Sequence, residues 1–149
     1  MEEEHKKAIE KAMQLLLYKD RTERELSERL KQTGFSEQAV RAAMEYVESF
    51  GYIDDLRYAT NYVSFRRESK SRREIIYKLR EKGVADNTIE QALEEEYQGE
   101  GEAIRNLLEK RLKGKKIEEL ERRERDKHIA YLCRKGYSYS EIQRALDNL

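Results

Sequence analysis

Few side chains in this chain have types and spacings suited to chemistry. There is one cysteine, Cys133, and the two histidines, His5 and His128, are too far apart in sequence to match a familiar metal-ligand spacing. Asp54 and Asp55 are adjacent carboxylates, but neighbouring residues on a helix point in different directions and do not form an acid–base pair. We therefore expect no catalytic residue, no metal site and no cofactor.

Structural roles explain these residues better. We expect Asp54 and Asp55 to begin a helix, where a carboxylate caps free N–H groups and suits the positive end of the helix dipole. Cys133 is predicted to be a small core residue, and His128 a partly exposed helix residue. The Gly-Lys-Lys run at 114–116 lacks the upstream glycine and the Ser or Thr of a phosphate-binding loop, so nucleotide binding is not expected there.

The strongest candidate for a binding surface is the basic segment at 66–82, which carries eight basic residues against three glutamates. The chain as a whole has 31 basic and 31 acidic residues, so any attraction to nucleic acid must be local. Nearby tyrosines offer large contact areas with polar tips. A solvated, salt-bridged rim is the alternative interpretation for any single residue. The candidate partner-binding or DNA-binding residues are Arg66, Arg67, Lys70, Arg72, Arg73, Lys78, Tyr58 and Tyr62.

The elements that position these residues recur three times along the chain. Starting at Leu30, Leu79 and Leu132, a leucine is followed after four residues by glycine, after ten by Val or Ile, after thirteen by Ala and after fourteen by Met or Leu. A glycine after a leucine-containing helix is typical of a helix end, and the later apolar residues have helical spacing. The pattern predicts an internal repeat of about 50 residues.

Helix starts are also marked. Thr22-x-Arg-Glu25 and Ser71-x-Arg-Glu74 are capping boxes that each begin twelve residues before the repeat glycine, and Ser138-x-x-Glu141 is another capping box. The third copy shares only its helix end with the first two. Every residue at 121–127 is charged, so this stretch is either an exposed helix or a hinge.

Composition agrees with helices. Charged residues make up 42% of the chain, proline is absent and glycine is scarce, which favours solvated helices over strands. We predict an all-α fold of three tandem three-helix repeats forming an elongated, curved array. The predicted repeats are 1–53, 54–98 and 99–149, the third being looser because of its charged stretch at 113–127. A lone cysteine, no signal-like start and no long apolar run lead us to expect a cytoplasmic protein without membrane contact. Nothing in the sequence demands a dimer, so we expect a monomer.

Several motifs together resemble the RecX family of bacterial regulatory proteins, from about residue 8 to the end. They include Arg21-Thr-x-x-Glu-Leu26, Gly51-Tyr-Ile-Asp-Asp55 and Leu79-Arg-Glu-Lys-Gly-Val84, with Tyr58-Ala59, Tyr62-Val63 and Arg66. The resemblance implies tandem three-helix repeats without enzymatic activity. It also implies binding to the RecA recombinase filament on single-stranded DNA, mostly inhibiting its recombinase, ATPase and coprotease activities. The implied setting is homologous recombination, DNA repair and the SOS response.

Two other classes of function stay open at this point. Three-helix units are also the plan of helix-turn-helix modules, so the chain is alternatively a direct DNA-binding protein that acts without RecA. Overall neutrality argues against that alternative, because such proteins are usually basic. An enzyme with dispersed catalytic residues is disfavoured, since no nucleophile, base and orienting group can be assembled from the spacing.

Overall fold

A computed structural model describes residues 2–148 and is helical throughout, with no strand in that range. Met1 and Leu149, which the predicted first and third repeats include, lie outside the described residues. The all-α prediction is confirmed. The described α-helices are α1 Glu3–Tyr18, α2 Glu23–Thr33, α3 Glu37–Ser49, α4 Asp55–Arg66, α5 Arg72–Glu81, α6 Asp86–Glu96, α7 Gly101–Leu112, α8 Arg122–Lys135 and α9 Tyr139–Asp147, with a short 3-10 helix at Ile117–Glu119.

The described chain groups into two compact units. The first comprises the chain up to Ala59 together with Leu79–Gln91, and the second comprises Thr60–Lys78 together with the chain from Ala92 onward. The repeat ranges given above follow the sequence recurrence and stay a prediction.

In the first unit, α1 packs against α3, and α2 packs against both. The buried side chains recur at helical spacing, and burying each large aliphatic side chain contributes about 1.5–3 kcal/mol. This core consists of Ala8, Ala12, Leu15, Leu26, Leu30, Ala39, Val40, Ala43, Met44, Val47 and Ile53.

In the second unit, α7 packs against α8 and α9, which also contact each other. The 3-10 helix contributes one buried residue, so the Lys-rich break after α7 is tied to this core. The core consists of Ala103, Ile104, Leu108, Leu112, Ile117, Leu132, Tyr137, Ile142, Ala145 and Leu146.

The predicted helix ends are present where the repeat places them. Gly34, Gly83 and Gly136 have φ of 104°, 91° and 104°, the left-handed conformation that ends helices at low cost only with glycine. The capping boxes at Thr22 and Ser71 are complete, with each hydroxyl accepting a backbone N–H and each glutamate returning a bond.

Two predictions about the third repeat need revision or refinement. Cys133 is exposed, so its prediction as a core residue is wrong. Its neighbour Leu132 is buried, and adjacent helix residues point about 100° apart, so one apolar position does not bury the next. The charged stretch continues as helix from Arg122 into α8 with exposed side chains, which favours the exposed-helix alternative over the hinge.

Asp54 begins α4 as expected. Its Oδ1 accepts the Arg57 backbone N–H at 3.1 Å, the bond of an N-capping residue. Asp55 has a different role, because its Oδ1 accepts the Glu23 N–H at the start of α2 at 2.8 Å. Burial is the main cause that raises the pKa of Asp55.

Candidate partner-binding groove

The second unit contains an open groove of about 1010 Å³ that we call the basic groove. Six basic side chains and three tyrosines line it, with one carboxylate. Such a lining is suited to a partner that presents negative charge and flat or apolar groups. Its residues are Tyr62, Arg66, Lys70, Arg73, Glu74, Tyr77, Lys78, Tyr131, Arg134 and Lys135.

The structure brings together five of the eight predicted binding residues. They come from the last two turns of α4, the following turn and α5, so their closeness in space follows from their closeness in sequence. These five are Tyr62, Arg66, Lys70, Arg73 and Lys78.

The other three predicted residues do not line the groove. Arg67 Nη1 donates to the Glu96 carbonyl at 3.1 Å and lies 3.3 Å from the Glu96 carboxylate. Arg72 contributes its backbone N–H to Glu100 at 3.1 Å. Tyr58 is half-buried and belongs to the first unit. Arg67 and Arg72 thus make contacts that organise the second unit.

Sequence reasoning missed five groove residues, one of which, Glu74, was predicted only as part of a capping box. Tyr131, Arg134 and Lys135 come from the last two turns of α8, and Tyr77 from α5 is 68% exposed. The repeat carried a signal for two of them, because Arg134 and Lys135 precede Gly136 as Glu81 and Lys82 precede Gly83.

Cations stack against two of the groove tyrosines. The Arg66 guanidinium lies 5.5 Å from the Tyr62 ring centroid, and Lys135 Nζ lies 5.9 Å from that of Tyr131. Arg111 stacks closer on Tyr131, at 3.9 Å. These cation–π contacts hold the rings in place and concentrate positive charge beside them.

A hydrogen bond to His128 fixes the orientation of the Arg111 side chain. The Arg111 Nε–H donates to His128 Nδ1 at 3.0 Å, which requires a neutral imidazole with a free Nδ1 lone pair. Burial, followed by the nearby Arg111 charge, lowers the pKa of His128. His128 is half-buried on its helix, as the sequence predicted, and its contact orients the arginine that stacks on Tyr131.

Contacts between α5 and α8 hold the groove walls together. The Ser71 Oγ–H donates to the Lys135 carbonyl at 2.7 Å, and Arg73 Nη2 donates to the Arg134 carbonyl at 3.2 Å. Glu74 completes the arrangement through an ion pair with Lys135 at 3.5 Å. We call this arrangement a clasp: a capping box with Arg at the second helical position binds the last turn of another, glycine-ended helix.

The first unit contains the same clasp. The Thr22 Oγ1–H donates to the Lys82 carbonyl at 2.6 Å, and Arg24 donates to the Glu81 carbonyl. Glu25 pairs with Lys82 at 3.2 Å. The matching Thr/Ser-x-Arg-Glu motifs therefore do more than start helices, because each also binds a helix end about 60 residues further along the chain.

Over residues 2–148 there is no cluster of three or more His, Cys, Asp or Glu side chains arranged to hold a metal ion. Within the same range no helix combines the length and apolar character needed to cross a membrane.

These features define an all-α protein built of tandem three-helix domains. Family models described as the first, second and third three-helix domains of RecX match residues 8–46, 54–93 and 99–146. The chain belongs to the RecX family of regulatory proteins.

Individual relatives agree with this assignment. The chain is 35% identical over 147 residues to regulatory protein RecX of Caldanaerobacter subterraneus subsp. tengcongensis, covering 97% of this chain and 71% of the relative. It is 36% identical over 138 residues to regulatory protein RecX of Vibrio parahaemolyticus, covering 92% and 88%. The crystal structure of RecX from Lactobacillus salivarius is similar with a TM-score of 0.86 at 26% identity, covering 98% of each chain.

Proposed function

We propose that this chain is a non-enzymatic cytoplasmic regulator that binds RecA and its filament on single-stranded DNA. Its binding modulates, and mostly inhibits, the recombinase, ATPase and coprotease activities of RecA. Membership of a regulatory family supports the proposal at the level of the whole chain.

The basic groove is the observation that carries the proposal. A filament on DNA presents both protein surface and phosphate, and the groove combines tyrosine rings with six cations on a chain whose formal net charge is 0. Positive charge concentrated in a groove attracts a polyanionic surface locally, while the balanced charge of the whole chain gives no general attraction to nucleic acid.

The primary test is the DNA-dependent ATPase of RecA at rising concentrations of this protein. We expect the rate to fall and the protein to co-sediment with filaments. An unchanged rate together with no co-sedimentation would contradict the proposal.

Groove variants test where the contact lies. We expect Arg66→Glu combined with Arg134→Glu to weaken co-sedimentation by at least about tenfold, since each reversal places a carboxylate where phosphate or acidic groups would bind. Arg73, Lys135 and Arg67 are poorer choices because they form contacts within the fold.

The matched control is Lys31→Glu combined with Arg41→Glu, which makes the same charge change at exposed positions of the first unit. The control should bind like the wild type. Equal loss in both variants would mean that net charge, rather than the groove, determines binding.

Direct DNA binding without RecA gives a different signature. Contact with about five phosphates of a single strand predicts a slope of about −3.5 for the logarithm of affinity against the logarithm of salt concentration. Tight binding to naked DNA with that slope, and no effect on RecA, would favour the alternative function.

A further inference from the structure

The two clasps have the same components. A helix N-terminus supplies a hydroxyl at the cap, Arg at the second position and Glu at the third, while a glycine-ended helix supplies two carbonyls and a lysine. A carboxylate from a third helix binds the first N–H of the donor helix: Asp55 binds the Glu23 N–H, and Glu100 binds the Arg72 N–H.

A third glycine-ended turn has the acceptor geometry, but no side chain within residues 2–148 donates to it in the way of Arg24 and Arg73. Gly34 has the same φ as Gly136, 104°. Glu4 Oε2 accepts the Ser36 N–H at 3.0 Å, as Glu100 Oε1 accepts the corresponding N–H at 3.0 Å in the second unit. The acceptor site is therefore assembled in both places.

The three turns differ in whether an arginine side chain fills the space beside the glycine. At Gly83 and Gly136, the space where a Cβ would lie is filled by the side chains of Arg24 and Arg73. At Gly34, apart from the glycine and its two chain neighbours, no atom of residues 2–148 lies within 4 Å of that point. The Gly34 turn is thus an acceptor without its arginine.

An unused donor is present at the start of α8. Its cap is Glu121, and Arg123 and Glu124 stand at the second and third helical positions, matching the Arg and Glu of both clasps. All three side chains are exposed, and Glu121 makes no capping bond. The cap Glu121 lies fifteen residues before its glycine, whereas Thr22 and Ser71 each lie twelve residues before theirs, because α8 is about one turn longer than α5.

We propose that the Gly34 turn of one copy binds the N-terminus of α8 of a second copy, so that the chain associates head to tail. Arg123 of the second copy would donate to the Gln32 carbonyl, where Arg24 and Arg73 donate in the internal clasps. A contact between unlike surfaces leaves a free donor and a free acceptor at the ends and extends to further copies.

Two residues keep this association weak. Glu121 has no hydroxyl to donate to the Thr33 carbonyl, and Thr33 stands where Lys82 and Lys135 pair with the clasp glutamate. The contact retains the arginine bonds and loses the capping hydroxyl and the ion pair. The protein is accordingly monomeric when dilute and associates when concentrated.

Sedimentation equilibrium of the protein alone tests this proposal independently of the proposed RecA function. Thr33→Lys combined with Glu121→Ser completes the clasp and should lower the apparent dissociation constant for self-association by about tenfold or more. Both positions are exposed, so the fold should be retained, which circular dichroism checks.

Two further proteins make the test decisive. Adding Arg123→Ala to the variant with Thr33→Lys and Glu121→Ser should return its dissociation constant for self-association to the wild-type value. The control, Gln91→Lys combined with Glu94→Ser, makes the same charge change at other exposed positions and should self-associate like the wild type. Association of the completed variant no stronger than that of the wild type, or association that survives Arg123→Ala, would overturn the proposal.

Discussion

At the scale of single residues, the hydroxyls of Thr22 and Ser71 each serve two helices. Each accepts an N–H in its own capping box and donates to a carbonyl 60 or 64 residues away. The capping role is readable from four consecutive residues. The donor role is not, because local sequence carries no information on which helix end lies opposite.

Replacing the buried Thr22 with Val should destabilise the protein by about 2–4 kcal/mol, because it removes a helix cap and leaves the Lys82 carbonyl without its donor. Ser138→Ala, at an exposed cap of α9, should cost only about 1 kcal/mol. Urea denaturation measures both values. Equal losses would show that the bond to Lys82 contributes nothing to stability.

Glycine substitutions should separate backbone strain from side-chain crowding. Gly34→Ala should cost about 1–2 kcal/mol, the penalty for a Cβ in the left-handed region. Gly83→Ala should cost clearly more, because its Cβ would lie 2.6 Å from Arg24 Nε and 2.7 Å from Arg24 Cβ, forcing the clasp open. Thermal denaturation compares the two variants, and a larger loss for Gly34→Ala would refute this account.

Glu25 makes the first clasp sensitive to acid. Burial disfavours its ionisation, but the Thr22 N–H bond and the Lys82 ammonium outweigh burial and lower its pKa below the usual value. A lowered folded-state pKa gives stability that is present above the unfolded pKa, about 4.3, and is lost as pH falls through the folded value.

Glu25→Gln tests this linkage. The difference in unfolding free energy between wild type and variant should be largest near pH 7 and should shrink steadily below about pH 4.3. Urea titrations between these limits provide the measurement. A difference that does not change with pH would mean that the carboxylate charge is not involved.

At the scale of helices, Glu100 connects the starts of three elements. It lies at the N-terminus of α7, and its two carboxylate oxygens accept the Arg72 N–H of α5 at 3.1 Å and the Ser138 N–H of α9 at 3.0 Å. The sequence predicted a complete capping box at Ser138-x-x-Glu141. Only half of it is present, because Glu141 pairs with Arg144 at 3.1 Å and Glu100 takes the Ser138 N–H.

Replacing Glu100 with Ala should cost about 2–4 kcal/mol, because two N–H groups bonded to a charged acceptor lose it. Glu102→Ala, an exposed change in the same first turn, should stay within about 0.5 kcal/mol of the wild type. Hydrogen exchange provides the specific readout. Faster exchange at the Arg72 and Ser138 amides is expected in the Glu100 variant alone, and unchanged exchange at both would contradict the bridging role.

Local signals predicted these helices better than they predicted the site. Glycines and capping boxes mark chain segments directly, so the starts of α2 and α5 and the ends of α2, α5 and α8 followed from sequence. The basic groove needs α8 to lie beside α5, a long-range contact that periodicity does not specify. Only residues close together in sequence were therefore found, while Tyr131 and Arg134 were missed.

At the scale of the whole molecule, a formal net charge of 0 at neutral pH coexists with a strongly basic groove. Proteins near zero net charge associate and precipitate most readily. We expect the wild type to be least soluble close to pH 7. Arg66→Glu combined with Arg134→Glu should shift that solubility minimum to lower pH. Precipitation by polyethylene glycol, measured across a range of pH, gives the position of the minimum for each protein. A minimum at the same pH in both proteins would argue that net charge does not determine their solubility.

The clasp also bears on how such a protein changes in length over generations. Its acceptor side consists largely of main-chain carbonyls and a glycine, and its donor side is a motif of four residues. An in-frame duplication of a DNA segment encoding one repeat would copy both sides together, so the new joint would be compatible from the first generation. Gain of a repeat is therefore an accessible mutation, whereas a single substitution within one clasp disrupts a joint that already exists.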